Sequence, residues 1–162
     1  MEIFNEEFSS IYQNYNAKIA KLCLGYAHSV EEAEDLVQDT FLSAWKHWSS
    51  FHGHSSRKTW IYRIAINKCL THIKKKHQRS DAIKEMVEQP HAYNEKDEAI
   101  NLLYDAINKL EKVDRLLISM YLDELAYREI AEVLGIKENT VAVKIHRIKI
   151  QLTEIYNRNE KL

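Results

Sequence analysis

Glycine and proline are scarce in this chain, which has three glycines and one proline among 162 residues. Tight hairpin turns depend on these residues for positive or fixed φ, so few β-hairpins can form. No segment alternates apolar and polar residues as a half-buried strand does. Leucine, isoleucine, alanine, glutamate and lysine instead recur at helical spacing, which predicts an all-α fold.

Long apolar runs are absent as well. No stretch approaches the ~20 apolar residues of a membrane span, and the N-terminal MEIFNEEF has no basic region followed by an apolar run. We therefore expect a cytoplasmic protein without membrane insertion. Cys23 and Cys69 lie among apolar neighbours and match no metal or redox spacing, which favours buried, reduced thiols.

Patterns typical of catalysis and metal binding are also missing. His47, His52 and His54 lie close together, but no cysteine or carboxylate completes a zinc-ligand spacing. The sequence has no nucleophile elbow or phosphate loop and no obvious carboxylate pair. We expect no metal, no cofactor and no catalytic residue, so the chain is not predicted to be an enzyme.

Charge is unevenly distributed, although the formal net charge is only −1. Residues 57–79 carry eight Lys or Arg and no acid, and residues 31–39 carry five acids and no base. Residues 81–105 carry seven acids against two lysines. Blocks of opposite sign predict two partners of different polarity.

Apolar periodicity predicts three helices in an N-terminal domain, residues 1–79. The first runs to about Gly25 or His28, Ser29 begins the second through a capping box with Glu32, and Ser56 caps the third after a polar loop around Gly53. The residues predicted to face the core are Phe4, Phe8, Ile11, Tyr15, Ile19, Leu22, Tyr26, Ala33, Leu36, Val37, Phe41, Ala44, Trp45, Trp48, Trp60, Ile61, Ile64, Ala65 and Ile73.

The periodicity fails around Pro90, which predicts a linker over residues 80–94 and a second helical domain over residues 95–162. Asn94 is predicted to cap the fourth helix. The core-facing residues of the fourth and fifth helices are predicted to be Ala99, Leu102, Leu103, Ala106, Ile107, Leu110, Val113, Leu116, Leu117, Met120 and Tyr121.

Residues 127–149 have the spacing of a helix-turn-helix. Ala131, Gly135 and Val141 occupy the positions of a small contact residue, a turn residue that tolerates positive φ, and an apolar anchor. Asn139 and Thr140 are candidate caps of the second helix. An ordinary helical hairpin with a solvated basic face is the alternative. The second helix is predicted to face inward with Val141, Ile145, Ile148 and Leu152 and outward with Lys144, Arg147 and Lys149.

The third helix combines its cations with Trp60 and Tyr62, and the loop before it contains Phe51, His52 and His54. Cations together with aromatic faces favour binding of unstacked bases in single-stranded nucleic acid. The alternative is that Trp60 belongs to the core and that the lysines form a solvated helix end.

The second helix carries Asp35, Gln38 and Asp39 at spacings of three and four, on one outward face. Such an acidic face suits a basic protein partner. A merely solvated face fits the sequence equally well.

Three segments in this order resemble an extracytoplasmic-function (ECF, group four) sigma factor, a promoter-specificity subunit of bacterial RNA polymerase. AEDLVQDTFLSAW is similar to that family's core-binding region 2 helix, FHGHSSRKTWIYRIAINKCLTHIKKK to its promoter-melting segment, and LEKVDRLLISMYLDELAYREIAEVLGIKENTVAVKIHRIK to region 4. The resemblance implies a region 2 domain over residues 1–79 and a region 4 domain over residues 95–162. The implied function is transcription initiation through binding of core polymerase and of the minus-10 and minus-35 promoter elements.

The resemblance also implies three sets of site residues. Asp35, Gln38 and Asp39 would dock on the clamp helices of the polymerase largest subunit. The minus-10 set is Phe51, His52, His54, Ser55, Ser56, Arg63, Asn67 and Lys68. The minus-35 set is Arg128, Thr140, Ala142, Val143, Lys144, His146, Arg147 and Lys149.

Ala142 and Val143 depart from the family pattern, in which many members have a basic and a hydroxyl residue. Neither side chain makes charged or bidentate base contacts, so the minus-35 sequence stays open. Core polymerase and promoter DNA are the implied partners, and an anti-sigma factor is a further one to consider. The alternative function is a stand-alone helix-turn-helix regulator that binds operator DNA as a symmetric dimer.

Overall fold

The computed structural model describes the backbone of residues 2–27, 29–79 and 98–159, and the side chains of residues 6–27, 29–75 and 98–158. These residues form seven α-helices and one short 3-10 helix, without a strand among them. The predicted all-α fold is confirmed. The chain divides into two compact units, the N-terminal unit (Met1–Met86) and the C-terminal unit (Val87–Leu162). The predicted linker and the Asn94 cap lie outside the described residues.

The N-terminal unit consists of α1 (Glu2–Leu24), α2 (Val30–Lys46), the 3-10 helix Trp48–Ser50, and α3 (Arg57–Arg79). Each of the three α-helices packs against the other two. The hydroxyl of Ser29 accepts a hydrogen bond from the Glu32 N–H at 3.1 Å, and that of Ser56 accepts one from the Thr59 N–H at 3.1 Å. Both residues therefore begin their helices as predicted.

Every described residue of the predicted apolar stripe of this unit is buried or half-buried except Trp45, and Phe4 lies outside the described side chains. Trp45 is 41% exposed, and its ring packs edge-on against Phe8 with centroids 4.8 Å apart. It lies at the edge of the α2 stripe, one residue before the helix ends. Cys23 and Cys69 are free and buried with sulfurs 3.8 Å apart, so the prediction of buried, reduced thiols is confirmed. The hydrogen bond with Cys69, together with burial, raises the pKa of the Cys23 thiol.

The C-terminal unit contains α4 (Glu98–Asn108), α5 (Lys112–Leu122), α6 (Tyr127–Leu134) and α7 (Glu138–Asn159). The long helix α7 packs against the other three. Ala99 and Val113, predicted to be buried, are exposed. Each lies in the first turn of its helix, before the helix enters the core.

Candidate functional site

The predicted helix-turn-helix is formed by α6 and α7. Ala131 is 9% exposed and Val141 is fully buried, while Gly135 adopts φ 67° between the two helices. The N–H of Ile136 donates to the carbonyl of Ala131 at 3.1 Å, which closes the end of α6. These three residues therefore do what their spacing predicted.

The start of α7 differs from the prediction. The helix begins at Glu138, and the N–H groups of Thr140 and Val141 donate to the carbonyl of Lys137 at 2.9 and 3.1 Å. Asn139 and Thr140 are therefore already in the first helical turn, and their predicted role as caps is wrong. Both side chains are exposed.

The two faces of α7 are distinct. Val141, Ile145, Ile148 and Leu152 are buried as predicted. On the other side, Thr140, Val143, His146 and Arg147 are exposed, and Ala142 and Lys144 are half-buried. Arg128 of α6 is also exposed, with its Nε 3.4 Å from Oε1 of Glu132.

Lys149 does not project freely from α7. Its Nζ donates a hydrogen bond to the Tyr121 hydroxyl at 2.7 Å and lies 4.1 Å from the centre of that ring. This hydrogen bond to the Tyr121 hydroxyl raises the pKa of Lys149, so the ammonium form is favoured. Spacing along α7 placed Lys149 outside, but it did not predict the partner on α5.

On the N-terminal unit, Arg57 is part of the protein's internal packing. Its Nε pairs with Oε1 of Glu7 at 2.8 Å, and its guanidinium carbon lies 4.0 Å from the Trp48 ring centre and 5.1 Å from that of Phe51. Trp60 completes this aromatic cluster, 5.1 Å from Phe51 and 6.1 Å from Trp48. One of the eight cations of residues 57–79 is therefore used to hold helices together.

Tyr62 cannot stack on a base. It is 0% exposed and packs edge-on against Tyr15, so its predicted role as a nucleic-acid contact is wrong. Sequence could not separate Tyr62 from Trp60, because only the packing of α1 against α3 decides which aromatic ring reaches the surface.

All eight residues of the predicted minus-10 set, which did not include Tyr62, lie at or near the surface. His52, His54, Ser56 and Asn67 are exposed, and Phe51, Ser55, Arg63 and Lys68 are half-buried. Gly53 permits the loop turn at φ 73°. The spacing of Arg63, Asn67 and Lys74 places them on one face of α3. Within the described residues, no group of three or more His, Cys, Asp or Glu side chains is arranged to hold a metal.

The acidic face of α2 comprises Glu31, Asp35, Gln38 and Asp39, all of them exposed. Leu42 lies one turn beyond Gln38 on the same face and is 55% exposed. Sequence reasoning missed Leu42, although its spacing from Asp35 and Gln38 was a usable signal. A groove between α1 and α2, lined in part by Tyr12, Val30, Glu34 and Gln38, borders the acidic face.

Comparison with known proteins agrees with this arrangement. The family model described as Sigma-70 region 2 matches residues 11–79, and the model described as Sigma-70, region 4 matches residues 100–152. The RNA polymerase sigma factor YlaC of Bacillus subtilis (strain 168) is 31% identical over 156 residues, covering 91% of this chain and 90% of its own. The ECF RNA polymerase sigma factor SigW of the same organism is 32% identical over 158 residues, covering 88% and 84%.

A solved structure shares the fold. The sigma factor RpoE of Bartonella quintana, crystallised with the anti-sigma factor NepR, superposes with a TM-score of 0.82 at 22% identity, covering 94% of this chain and 98% of that one. Together, the two family-model matches and the full-length relatives define the class of protein.

The chain belongs to the extracytoplasmic-function family of RNA polymerase sigma factors. It is a promoter-specificity subunit that directs transcription initiation, and the alternative of a stand-alone helix-turn-helix regulator is not favoured. None of the helices in the described ranges is long and apolar enough to span a membrane.

Proposed function

We propose that this sigma factor divides polymerase docking and promoter recognition among three surfaces. Residues 1–79 form the domain that docks on core polymerase and holds the minus-10 element, residues 95–162 form the domain that reads the minus-35 element, and residues 80–94 link them. The matches to region 2 at residues 11–79 and to region 4 at residues 100–152 support these bounds.

The acidic face of α2 is the proposed docking site for the clamp helices of the polymerase largest subunit. Asp35, Gln38 and Asp39 supply hydrogen-bond acceptors and negative charge, and exposed Leu42 supplies an apolar contact beside them. A face of this kind attracts a basic helical surface and keeps nucleic acid away from the same site. Clustering of these side chains on one side of α2 supports the assignment.

The loop over residues 51–56 and the adjoining face of α3 are the proposed minus-10 site. Arg63, Asn67 and Lys68 supply charge and hydrogen bonds for the opened non-template strand, and the half-exposed ring of Phe51 supplies a stacking surface. His52, His54 and Ser55 are part of the loop and are proposed to contact the same strand. Ser56 is the N-cap of α3, so its proposed contribution is to orient the loop.

The outward face of α7 is the proposed minus-35 reader. In helix-turn-helix proteins the second helix enters the major groove, and the exposed Thr140, His146 and Arg147 lie on the face that would meet the bases. Exposed Arg128 of α6 suits a phosphate contact. Lys144 adds positive charge beside this face. Lys149 is proposed to contact the DNA while its ammonium group stays hydrogen-bonded to Tyr121.

The observation that carries this proposal is the separation of three charged blocks: the five acids of residues 31–39 lie on α2, the eight cations of residues 57–79 lie on α3, and Lys144, Arg147 and Lys149 lie on α7. Run-off transcription on genomic fragments tests it, with purified core polymerase alone, with the chain, and with the chain carrying Arg147→Glu. We expect new start sites that share upstream elements, and their loss in the variant. Absence of any new start site, together with binding of a palindromic duplex by the chain alone, would favour the stand-alone regulator.

Two narrower assignments belong to the same proposal. The chain acts by binding and carries out no chemical step, and it works in the cytoplasm beside the polymerase. An anti-sigma factor is a proposed further partner, supported by the shared fold with RpoE, which was crystallised with NepR. To test for this partner, the chain is purified from its host, and the fraction bound to core polymerase is separated from the fraction that is not. A further protein bound to the fraction without polymerase would be the expected anti-sigma factor.

A further inference from the structure

Val143 is a large apolar side chain on the outward face of α7, and it is 50% exposed. The α-helix turns about 100° per residue, so Val143 lies about 200° from the buried Val141 and opposite the stripe that packs into the core. Its surroundings on that face are polar, since Asn139, His146 and Arg147 are all exposed. In the N-terminal part of α7, Val143 is therefore a large apolar side chain surrounded by exposed polar neighbours.

The edges of base pairs in the major groove offer few matches for such a side chain. Guanine, adenine and cytosine present hydrogen-bonding atoms there, whereas thymine adds an apolar C5-methyl group. Valine has neither donor nor acceptor, so covering a polar base edge would remove hydrogen bonds to water without replacing them. Covering a methyl group instead buries apolar surface on both sides.

We propose that Val143 reads a thymine of the minus-35 element through its C5-methyl group, so that the base is selected by apolar contact. The proposal rests on the minus-35 role of α7 proposed above. Because Val143 departs from the family pattern, the base that it contacts could not be predicted from the sequence. The proposal identifies that base as thymine. The selectivity has two sources. Contact with the thymine methyl group is favourable, and contact with another base would remove hydrogen bonds between its polar edge and water.

The chain offers a matched control in Ile150. This side chain is also 50% exposed and lies on the same face of α7, seven residues later. Seven residues advance the helix by about 10 Å, and base contacts come from the N-terminal part of a recognition helix. Ile150 is therefore equally apolar and accessible but lies beyond the bases.

The test begins with selection of minus-35 duplexes from a randomised library by the holoenzyme, that is, core polymerase with the full chain. Each thymine of the selected element is then replaced singly by deoxyuridine, which removes only the methyl group. Competition binding is measured for holoenzymes carrying the natural chain, Val143→Ala or Ile150→Ala. Thermal unfolding of each variant confirms an intact fold, which exposure of both side chains leads us to expect.

We expect one thymine at which deoxyuridine weakens binding of the natural holoenzyme about three- to fivefold. Val143→Ala should weaken binding to the thymine duplex by a similar factor and abolish the sensitivity at that position, while Ile150→Ala should keep it. A selected element without a methyl-sensitive thymine, or equal sensitivity in the natural and Val143→Ala holoenzymes, would overturn the proposal for Val143 alone. If the library yields no enriched minus-35 element, the proposed role of α7 fails with it.

Discussion

Arg57 and Arg147 are both cations of basic segments, yet their surroundings give them different roles. Arg57 is half-buried between Glu7 of α1 and the rings of Trp48 and Phe51. Arg147 is exposed on the outward face of α7. A planar guanidinium can stack on aromatic rings or pair with the O6 and N7 atoms of guanine, so only the environment distinguishes the two uses.

Arg147→Ala tests the second use. We expect a loss of about 1–3 kcal/mol in binding of the selected minus-35 duplex by the holoenzyme, because a bidentate base contact is worth about that much. Arg158→Ala is the control, since Arg158 is exposed near the end of the same helix. A loss that is equal for all duplex sequences would reassign Arg147 to a phosphate contact.

Asp35 and Gln38 offer a similar test of the acidic face. Both side chains are exposed on α2, so the double change to alanine should leave the helix content unchanged. We expect the affinity for core polymerase to fall at least about fivefold, roughly 1 kcal/mol, as for residues at the centre of an interface. Glu6→Ala removes an exposed acid from α1 instead and should have little effect. Unchanged association of the double variant would remove the docking role.

Two turns of the C-terminal unit are built alike but with different residues. After α5, Glu124 adopts φ 63° and the Leu125 N–H donates to the Met120 carbonyl at 3.1 Å. After α6, Gly135 adopts φ 67° and the following N–H makes the equivalent bond to Ala131. Glycine suits this left-handed position and glutamate does not, so the first turn carries backbone strain that the second avoids.

Exchanging the residue type should therefore change stability in opposite directions. Glu124→Gly relieves the strain, partly offset by glycine entropy, and should stabilise the C-terminal unit by about 0.5–1 kcal/mol. Gly135→Ala should destabilise it by about 1–2 kcal/mol through backbone strain alone, since an added Cβ would meet no atom within 4 Å. Urea unfolding followed by circular dichroism measures both.

Tryptophan fluorescence supplies an internal control for that experiment. All three tryptophans, Trp45, Trp48 and Trp60, belong to the N-terminal unit. The fluorescence transition should stay in place while the helical signal of the C-terminal unit shifts. Shifts of the same sign in both variants would contradict the strain argument.

Sequence predicted the helices and their starts well where the signal is local. Ser29, Ser56 and Gly135 act within three to five residues of themselves, so their roles could be read without knowing the fold. A local signal misplaced the start of α7, because Asn139 and Thr140 lie inside its first turn. The other predictions failed where neighbouring helices decide the outcome. Tyr62 is covered by α1, and Trp45 stays at the rim of the stripe on α2.

The candidate site followed the same rule: its local features could be predicted from the sequence, and its contacts between helices could not. Periodicity separated the inward and outward sides of α7 because one stripe of apolar residues suffices to orient a helix. It could not show that Lys149 bonds to Tyr121, 28 residues away in sequence, or that Arg57 is held by Glu7. Such contacts depend on which helices meet, and that is decided by the packing of whole apolar faces.

A net charge of −1 makes the intact chain a poor binder of duplex DNA on electrostatic grounds. The five acids of residues 31–39 repel phosphate, and only part of the basic charge faces outward, because Arg57 is committed to Glu7. Docking of the acidic face on core polymerase would cover the repulsive surface. It would also hold the two promoter-binding domains at a fixed spacing, which raises the effective concentration of the second once the first is bound.

We therefore expect the free chain to bind a promoter duplex no more tightly than non-specific DNA, with a dissociation constant of about 10⁻⁴–10⁻⁶ M at physiological salt. The holoenzyme should bind the same duplex specifically, with a dissociation constant of about 10⁻⁸ M or lower. Fluorescence anisotropy with a labelled duplex measures both across a salt series, with core polymerase alone as the control. The logarithm of the association constant should fall more steeply with salt for the holoenzyme, because it neutralises more phosphates. Tight, sequence-selective binding by the free chain as a symmetric dimer would contradict this expectation. It would show that promoter binding does not require docking of the acidic face on core polymerase.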